Sequence, residues 1–527
     1  MRKMKLSIPV YLAIALYFSG CSFFDVADNT GFNSIDSRTI LRDITFLASD
    51  SLKGRPTPSR EQDTAAAYIA NCFKQDNLMP VNGSYYQEVN LGKVRLAKDN
   101  HLKISKDGKE VSFKIKDEFI PFEMTANNQF SGNIVFAGYG ITAPEFNYDD
   151  YKDIDVKGKI VFVLRHEPGE EDTASVFDGN KATDYSEVNE KVKIAIEHGA
   201  SAVMVATDPL NHSFLIPRGF PWPSLSKIIP KDALPISLID EEKNKIPVIH
   251  VGEEVIKLLF GSVDKLRAIQ QEIDRNVKPN SFLLEGYTAS IKTSTEIEKA
   301  PAKNVVGYLE GSDPQLKNEI IVVGAHYDHV GPKKKEKPTD DIINNGADDN
   351  ASGTVAVLAL AKAFGTLEIK PKRSILFIGF AGEELGLLGS SAYVHNPLFP
   401  LDKTVAMLNY DMVGRNTIDS VYIVGGSRSP DLKQIAVEEN EKIGFKLGYE
   451  YESFIGRSDQ APFLNKKKPI LYLTSGEHPD YHKVTDEVWL INPEKIEKIS
   501  QLSFYIINRI ANESRYYKVI PKKISLI

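Results

Sequence analysis

The sequence predicts an α/β fold: a mixed, mostly parallel sheet with helices on both faces, plus a β-rich insert. Three observations carry this expectation. Beyond Glu285, short apolar runs alternate with amphipathic helical stretches, the pattern of a sheet covered on both sides. Upstream, FSGNIVFAGYGI, GKIVFVLRHEPG and SAVMVAT cluster as strand-like runs. His326, Glu383, Glu384 and Asp411 fall at or just after strand ends, the edge where open α/β sheets bind ligands. At 527 residues the chain exceeds one ordinary core, so two or more domains are expected.

The elements follow in order. Arg2, Lys3 and Lys5 form a basic start, and Leu6 to Phe18 is a mostly apolar stretch holding Pro9. It is too short to span a membrane comfortably and reads as the apolar core of a signal peptide. Phe18-Ser19-Gly20-Cys21 resembles a bacterial lipobox, with Phe18 in place of the usual Leu. Cys21 is therefore the expected lipidation site, giving an anchor without a span. Residues 1–21 are assigned to the lipoprotein signal and 22–34 to a tether.

Ile35 to Met79 reads as largely helical, with Asp36 or Ser37 as a cap and Thr64 to Leu78 as a second helix. SDSLKGRPTPS is the Gly/Pro loop between them. In AAAYIANCF, Ala65, Ile69, Cys72 and Phe73 share a helical face, so Cys72 is expected to be a buried core thiol. Leu91 to Lys116 turns to strands, with Asp107-Gly108 as a hairpin turn. Val188 to Gly199 is a helix, and IPVIHVGEEVIKLLFG a strand and helix. After Glu285, NVVGYLEG, EIIVVGAHYD, SILFIGFAGEE, TVAMLNYDM, SVYIVGG and PILYLTSG are strands. ASGTVAVLALAKAFG, PDLKQIAVEENEKIG and PEKIEKISQLSFYIINRIA are the helices between and after them.

Composition excludes some functions. A net charge of −7, with acids and bases mixed along the chain, leaves no basic stripe for nucleic acid. A mean hydropathy of −0.25 argues against a polytopic membrane protein.

The most informative residues are His326 in GAHYDHVG, Asp349 in GADDNASG, Glu384 in AGEELGLLGS, Asp411 in LNYDMVG and His482 in DYHKVTDE. Two imidazoles and three carboxylates make a mixed N/O ligand set that suits zinc or a similar first-row ion. Glu383 stands beside a ligand and can act as a base. This is the inventory of a two-metal hydrolase.

The motifs HYDH, GADDNASG, GEELGLLGS, YDMVG and DYH occur in that order between Asn304 and Val488, and this segment resembles the zinc aminopeptidase family M28. The helical region at 35–125 resembles the start of the same catalytic domain, which then resumes at 285–515 before a tail at 516–527. The pattern from Asn127 to Ser281 resembles a protease-associated domain, assigned to 126–284.

The resemblance implies roles. His326 and Asp411 are terminal ligands of one metal, Glu384 and His482 of the other, and Asp349 bridges. Asp348 is the competing acid, but the family's bridging residue directly precedes the Asn-Ala-Ser-Gly stretch. A cis peptide after Asp349 is common in relatives. Asp328 is the acid that hydrogen-bonds the ligating imidazole. Glu383 is the general base, and Tyr481 helps hold the oxyanion. Two Zn2+ are implied, with Co2+ or Mn2+ as alternatives, sharing a bridging water or hydroxide. Gln460, in RSDQAPF, departs from the SDH often found in relatives, which bears on the specificity pocket or on a contact behind it. His329 and His478 are read as neighbours of the site and His395 as structural; none is assigned to metal.

The expected activity is removal of N-terminal residues from peptides with a free N-terminus, in the cell envelope of a bacterium. Another exopeptidase specificity (dipeptidase or carboxypeptidase), glutaminyl cyclisation and a catalytically inert receptor-like scaffold are the alternatives. A protein partner is expected, if anywhere, at the insert.

Overall fold

The computed structural model describes residues 29–122, 124–177, 179, 181–217, 236–239 and 246–521. The signal segment, Cys21 and residues 22–28 of the tether lie outside these, as does the end of the tail from residue 522. Among the described residues no helix is long and apolar enough to cross a membrane.

One sheet has eight strands, in the order Tyr86–Val89, Ala302–Leu309, Ser374–Phe380, Ile320–His326, Thr404–Tyr410, Ile470–Thr474, Ser420–Val424 and Lys446–Gly448. The strand ending at His326 runs parallel to those at Ser374–Phe380 and Thr404–Tyr410, and the last of these runs parallel to Ile470–Thr474. Antiparallel pairings flank this block of four. All four are buried at every position, as expected of strands covered on both faces. The expected mixed, mostly parallel sheet is therefore observed.

Helices Ser37–Leu47, Arg60–Gln75, Gly353–Gly365 and Pro493–Asn512 contribute to the core on one face. The opposite face packs under Leu388–His395 and Gln460–Asn465. Asp36 caps the first helix by accepting from the Thr39 N–H at 2.9 Å. The second helix begins at Arg60, four residues earlier than expected. Ser59 accepts from the Gln62 N–H at 3.0 Å, and Glu61 and Asp63 complement the helix dipole. Cys72 lies on this helix, packed against the core but only part-buried; burial pushes its thiol up to about 12.

Helix Gly353–Gly365 is buried over almost its whole surface. Its first residue must be glycine, because a Cβ there would stand 2.3 Å from both the Asn350 side-chain oxygen and the Tyr410 carbonyl. That close approach brings the helix start against the end of the Thr404–Tyr410 strand, where Asp411 follows.

A second eight-stranded sheet runs Lys109–Phe113, His101–Lys106, Ser281–Thr293, Asn128–Ala137, Ile160–Leu164, Ala202–Ala206, Val248–Val251, Phe119–Pro121. Its four strands from Asn128–Ala137 to Val248–Val251 are parallel. It too has a hydrophobic core on each face. The hairpin across Asp107-Gly108 forms as expected. It belongs to this sheet, however, and not with the N-terminal part of the first domain. Lys106 to His101 pair with Tyr287 to Lys292, a long-range register that local patterning cannot reveal. The strands of this sheet thus run from His101–Lys106 to Ser281–Thr293. Leu91–Leu96 and Thr295–Lys299 pair antiparallel where the chain leaves the first sheet and returns to it.

The loop SDSLKGRPTPS does more than connect. Arg55 within it is fully buried and donates to the carbonyls of Leu47, Tyr327, Asn345 and Gly346, at 2.5 to 3.1 Å. Burial lowers its guanidinium to about 10 against the pull of Asp349 and Asp328. Replacing it leaves four buried carbonyls without a donor. Arg55→Leu is expected to lower unfolding free energy by about 3–5 kcal/mol, read as a lower urea midpoint. An unchanged midpoint would contradict this role.

Candidate metal centre

Each candidate side chain reaches the pocket from the C-terminal edge of the parallel block. His326 is the last residue of its strand, Asp411 follows Tyr410 directly, and Glu383 and Glu384 lie just beyond Phe380. Asp349 sits in the segment Ala347–Ser352 that opens the buried helix, and the Asp349-Asn350 peptide is cis, as expected. His482 follows the Ile470–Thr474 strand by a loop and has φ 56°, a left-handed conformation that is uncommon for a residue with a side chain.

The five expected ligands come together. Asp349 faces an imidazole with each oxygen: Oδ1 is 3.5 Å from His326 Nε2, and Oδ2 is 3.1 Å from His482 Nε2. Asp411 Oδ1 lies 3.4 Å from His326 Nε2, and Glu384 Oε2 lies 3.1 Å from His482 Nε2. Glu383 Oε2 is 3.9 Å from His326 Nε2. The donors fall into two clusters, His326 with Glu383 and Asp411, and His329 with Asp349, Glu384 and His482.

Asp328 departs from its expected contact. The group nearest His326 Nδ1 is the backbone carbonyl of Asp328, at 3.2 Å, while its carboxylate stands 3.8 Å away. That carboxylate accepts from the Glu383 N–H at 3.2 Å and from the Thr57 hydroxyl at 2.9 Å. The residue still orients His326 Nε2 toward the pocket, through its main chain, and its side chain positions the backbone of Glu383.

His329 is closer to the centre than expected. It is buried, and its Nδ1 lies 2.7 Å from Glu384 Oε1. His478 Nε2 lies 3.2 Å from Asp348 Oδ2, and Asp348 Oδ1 accepts from the Gly414 N–H at 2.6 Å. Asp348 is thus engaged away from the imidazoles that flank Asp349. His395 hydrogen-bonds the Ser391 carbonyl on its own helix. Gln460 is buried; it accepts from Asn409 and donates to the carbonyls of Phe454 and Ile455, so it braces the pocket wall from behind. Tyr481 lines the pocket with Asp349, Glu383, Asp411 and Arg457, and its ring stacks on His482 at 3.9 Å.

Residues that pattern reading did not single out complete the surroundings. Asp486 accepts the N–H groups of both Asp348 and Asp349 at 3.0–3.1 Å. Asp459 is buried and acts electrostatically on Glu383. DYHKVTDE has a D-x₅-D spacing, but nothing local ties Asp486 to a backbone segment 137 residues away.

The electrostatics are those of an acid-rich pocket. Burial pushes Glu383 well above the carboxylate range; His326 opposes this, and Asp411, Asp459 and Glu384 add to it. Burial also raises Asp349. Against its burial, hydrogen bonds from His329 and His482 hold Glu384 well below the range. Burial alone would lower His482, but Asp349 and Glu384 push it up to about 10. His482 Nε2 is itself buried, with a carboxylate oxygen of Asp349 and one of Glu384 each 3.1 Å away. Imidazole nitrogens and carboxylate oxygens grouped at 3.1–3.5 Å fit a first-row divalent ion between them.

Comparison with known proteins follows the same lines. Residues 304–507 match the model of peptidase family M28. Leupeptin-inactivating enzyme 1 of Streptomyces exfoliatus is 33% identical over 199 residues, covering 38% of this chain and 41% of that protein's length. Aminopeptidase YwaD of Bacillus subtilis is 26% identical over 417 residues, 75% of this chain and 72% of the relative. Among solved structures, an aminopeptidase from Aneurinibacillus sp. strain AM-1 aligns with a TM-score of 0.46 at 21% identity, covering 94% of this chain and 98% of its own. A Bacillus subtilis zinc aminopeptidase aligns with a TM-score of 0.43 at 21% identity, over 91% and 96%.

Two outcomes are expected. His329→Ala lowers zinc affinity about 10–100-fold in competition with a chromogenic chelator, as loss of a group that orients a ligand does, whereas His395→Ala leaves it unchanged. Zinc binding at pH 7 releases protons, because the carboxylates hold a proton on His482 until a cation displaces it. A titration in weakly buffered solution reads this directly; binding without acidification would contradict it.

Proposed function

With a peptidase family M28 segment at 304–507 as the premise, we propose that the protein is a di-zinc aminopeptidase, exported and lipid-anchored. The observation that best supports the reading is Asp349, whose two oxygens face two different imidazoles. His326, Asp349 and Asp411 would hold one ion, and Asp349, Glu384 and His482 the other. Bound zinc supplies Lewis acidity and lowers the pKa of coordinated water.

The chain's own groups do the rest. Glu383 projects into the pocket that Asp411 and Tyr481 share. It takes a proton from the attacking water and returns it to the leaving amine. Its own surroundings push it toward the protonated form, so the base needs positive charge nearby, and the same pocket is where the ligands would hold it. Tyr481 donates its hydroxyl to the developing oxyanion. His329 holds Glu384 in place, and Asp328 holds the Glu383 backbone. The proposed substrate is a peptide with a free N-terminus. The Bacillus subtilis relative named an aminopeptidase supports this choice over other exopeptidase specificities. Export and lipidation rest on the Arg2-to-Cys21 segment of the sequence.

The test is hydrolysis of a panel of aminoacyl-p-nitroanilides by the purified chain, before and after chelation and after zinc is restored. Turnover is expected to vanish with chelation, return with zinc, and be absent with N-acetylated substrates. Glu383→Gln is expected to reduce kcat by about 10²–10⁴ with zinc content retained, and Tyr481→Phe by about 10²–10³. No turnover of free-amine substrates by the zinc-loaded protein would sink the aminopeptidase reading. Cys21→Ala is expected to move the protein from the detergent to the aqueous phase on Triton X-114 partition.

A further inference from the structure

We infer that the second sheet carries a separate divalent-cation site, formed by His166, Glu170, Asp208 and His212. This inference is independent of the proposed peptidase function. The strands Ile160–Leu164 and Ala202–Ala206 are adjacent and parallel, and each is followed two residues later by a candidate ligand, His166 and Asp208. Four residues further along each loop stands a second, Glu170 and His212. The two loops leave the same carboxyl edge of a parallel sheet, where ligand sites form.

The geometry is that of a coordination shell. His166 Nδ1 lies 2.5 Å from Asp208 Oδ1 and 3.6 Å from Glu170 Oε2. His212 Nε2 lies 3.0 Å from Glu170 Oε2 and 3.6 Å from Asp208 Oδ2. Four ligands about 2.0–2.1 Å from a tetrahedral zinc ion stand about 3.3 Å apart; three of these separations, 3.0 to 3.6 Å, bracket that value, and the fourth, His166 Nδ1 to Asp208 Oδ1, is a direct hydrogen bond that an ion would replace. The two imidazole rings stack at 4.2 Å between centroids, so both nitrogens turn to the same two carboxylates.

A second observation points to a ligand. The Asp208 side chain is completely buried, and its Oδ2 has no hydrogen-bond donor. A buried carboxylate oxygen without a donor is costly, and a cation relieves it. The loops are also braced in advance. Lys191, itself fully buried, donates to the His166 carbonyl at 2.6 Å. Gln270 accepts the Leu210 N–H at 2.7 Å, and Arg267 donates to the Pro209 carbonyl at 3.1 Å. His166, Glu170 and His212 each keep 24–35% of their side-chain surface exposed, which leaves an ion a way in. Two imidazoles with two carboxylates favour zinc or a neighbouring first-row ion over calcium, which takes oxygen ligands.

The test is zinc stoichiometry of the full chain purified in detergent, dialysed to equilibrium against micromolar Zn2+ and measured by elemental analysis. His212→Ala is expected to bind one zinc fewer per chain than the wild type, with peptidase activity within about two-fold of it. Glu170→Gln, also on the loop surface, repeats the measurement in case one variant folds poorly. The count is also made in a His482→Ala background, where adding His212→Ala is expected to remove one further equivalent. Equal zinc content with and without either substitution in folded protein would overturn the proposal and leave the cluster as ion pairs alone.

Discussion

Asp349 is wedged between His326 and His482 with three further carboxylates close by, and that crowding of negative charge governs the architecture. Like charges in a buried pocket raise one another's pKa and destabilise the fold unless cations or donors compensate. The protein supplies part of the compensation itself. Imidazoles face Asp349, Glu384 and Asp411, backbone N–H groups serve Asp328 and Asp486, and Arg55 lies buried beneath the site. Ions held between the carboxylates, as proposed above, would supply the rest and would suit the same cluster to hydrolytic chemistry.

The parallel block makes the crowding attainable. Three parallel strands end at one edge and deliver His326, Glu383 with Glu384, and Asp411, and the loop after a fourth brings His482. The strands are buried on both faces, and candidate ligands from distant segments meet at their edge with nitrogen–oxygen separations of 3.1–3.5 Å. The loops around it are tied down from behind. Arg55 holds the Tyr327 and Asn345–Gly346 turns, Asp486 holds the Asp348–Asp349 backbone, and Gln460 braces the Phe454–Ile455 wall. None of these touches the pocket chemistry directly; each removes freedom from a group that does.

The second sheet repeats the principle at smaller scale. Its parallel strands also end in a histidine and an acid, and its loops also bring a second pair of donors to the same point. A chain that twice gathers imidazoles and carboxylates at the carboxyl edge of a parallel sheet is exploiting one geometric fact, that adjacent parallel strands end side by side.

Local sequence was enough for the α/β alternation, the cap at Asp36 and the grouping of the five candidate ligands. His326, Asp349, Glu384, Asp411 and His482 lie in short motifs whose residue types announce metal chemistry, and strand ends are legible from apolar runs. The roles of other residues depended on partners far along the chain. Asp328 uses its main chain toward His326 and its carboxylate toward Glu383 and Thr57. His329 meets Glu384, Asp348 turns to His478, and the hairpin at 101–113 joins strand Ser281–Thr293. The His166 cluster was invisible for the same reason, since RHEPGE and DPLNH are unremarkable until two strands place them side by side. Periodicity and residue chemistry are properties of a segment, so the sequence determined them. Which oxygen faces which nitrogen depends on the packing of segments far apart in the chain, and only the tertiary structure decided that.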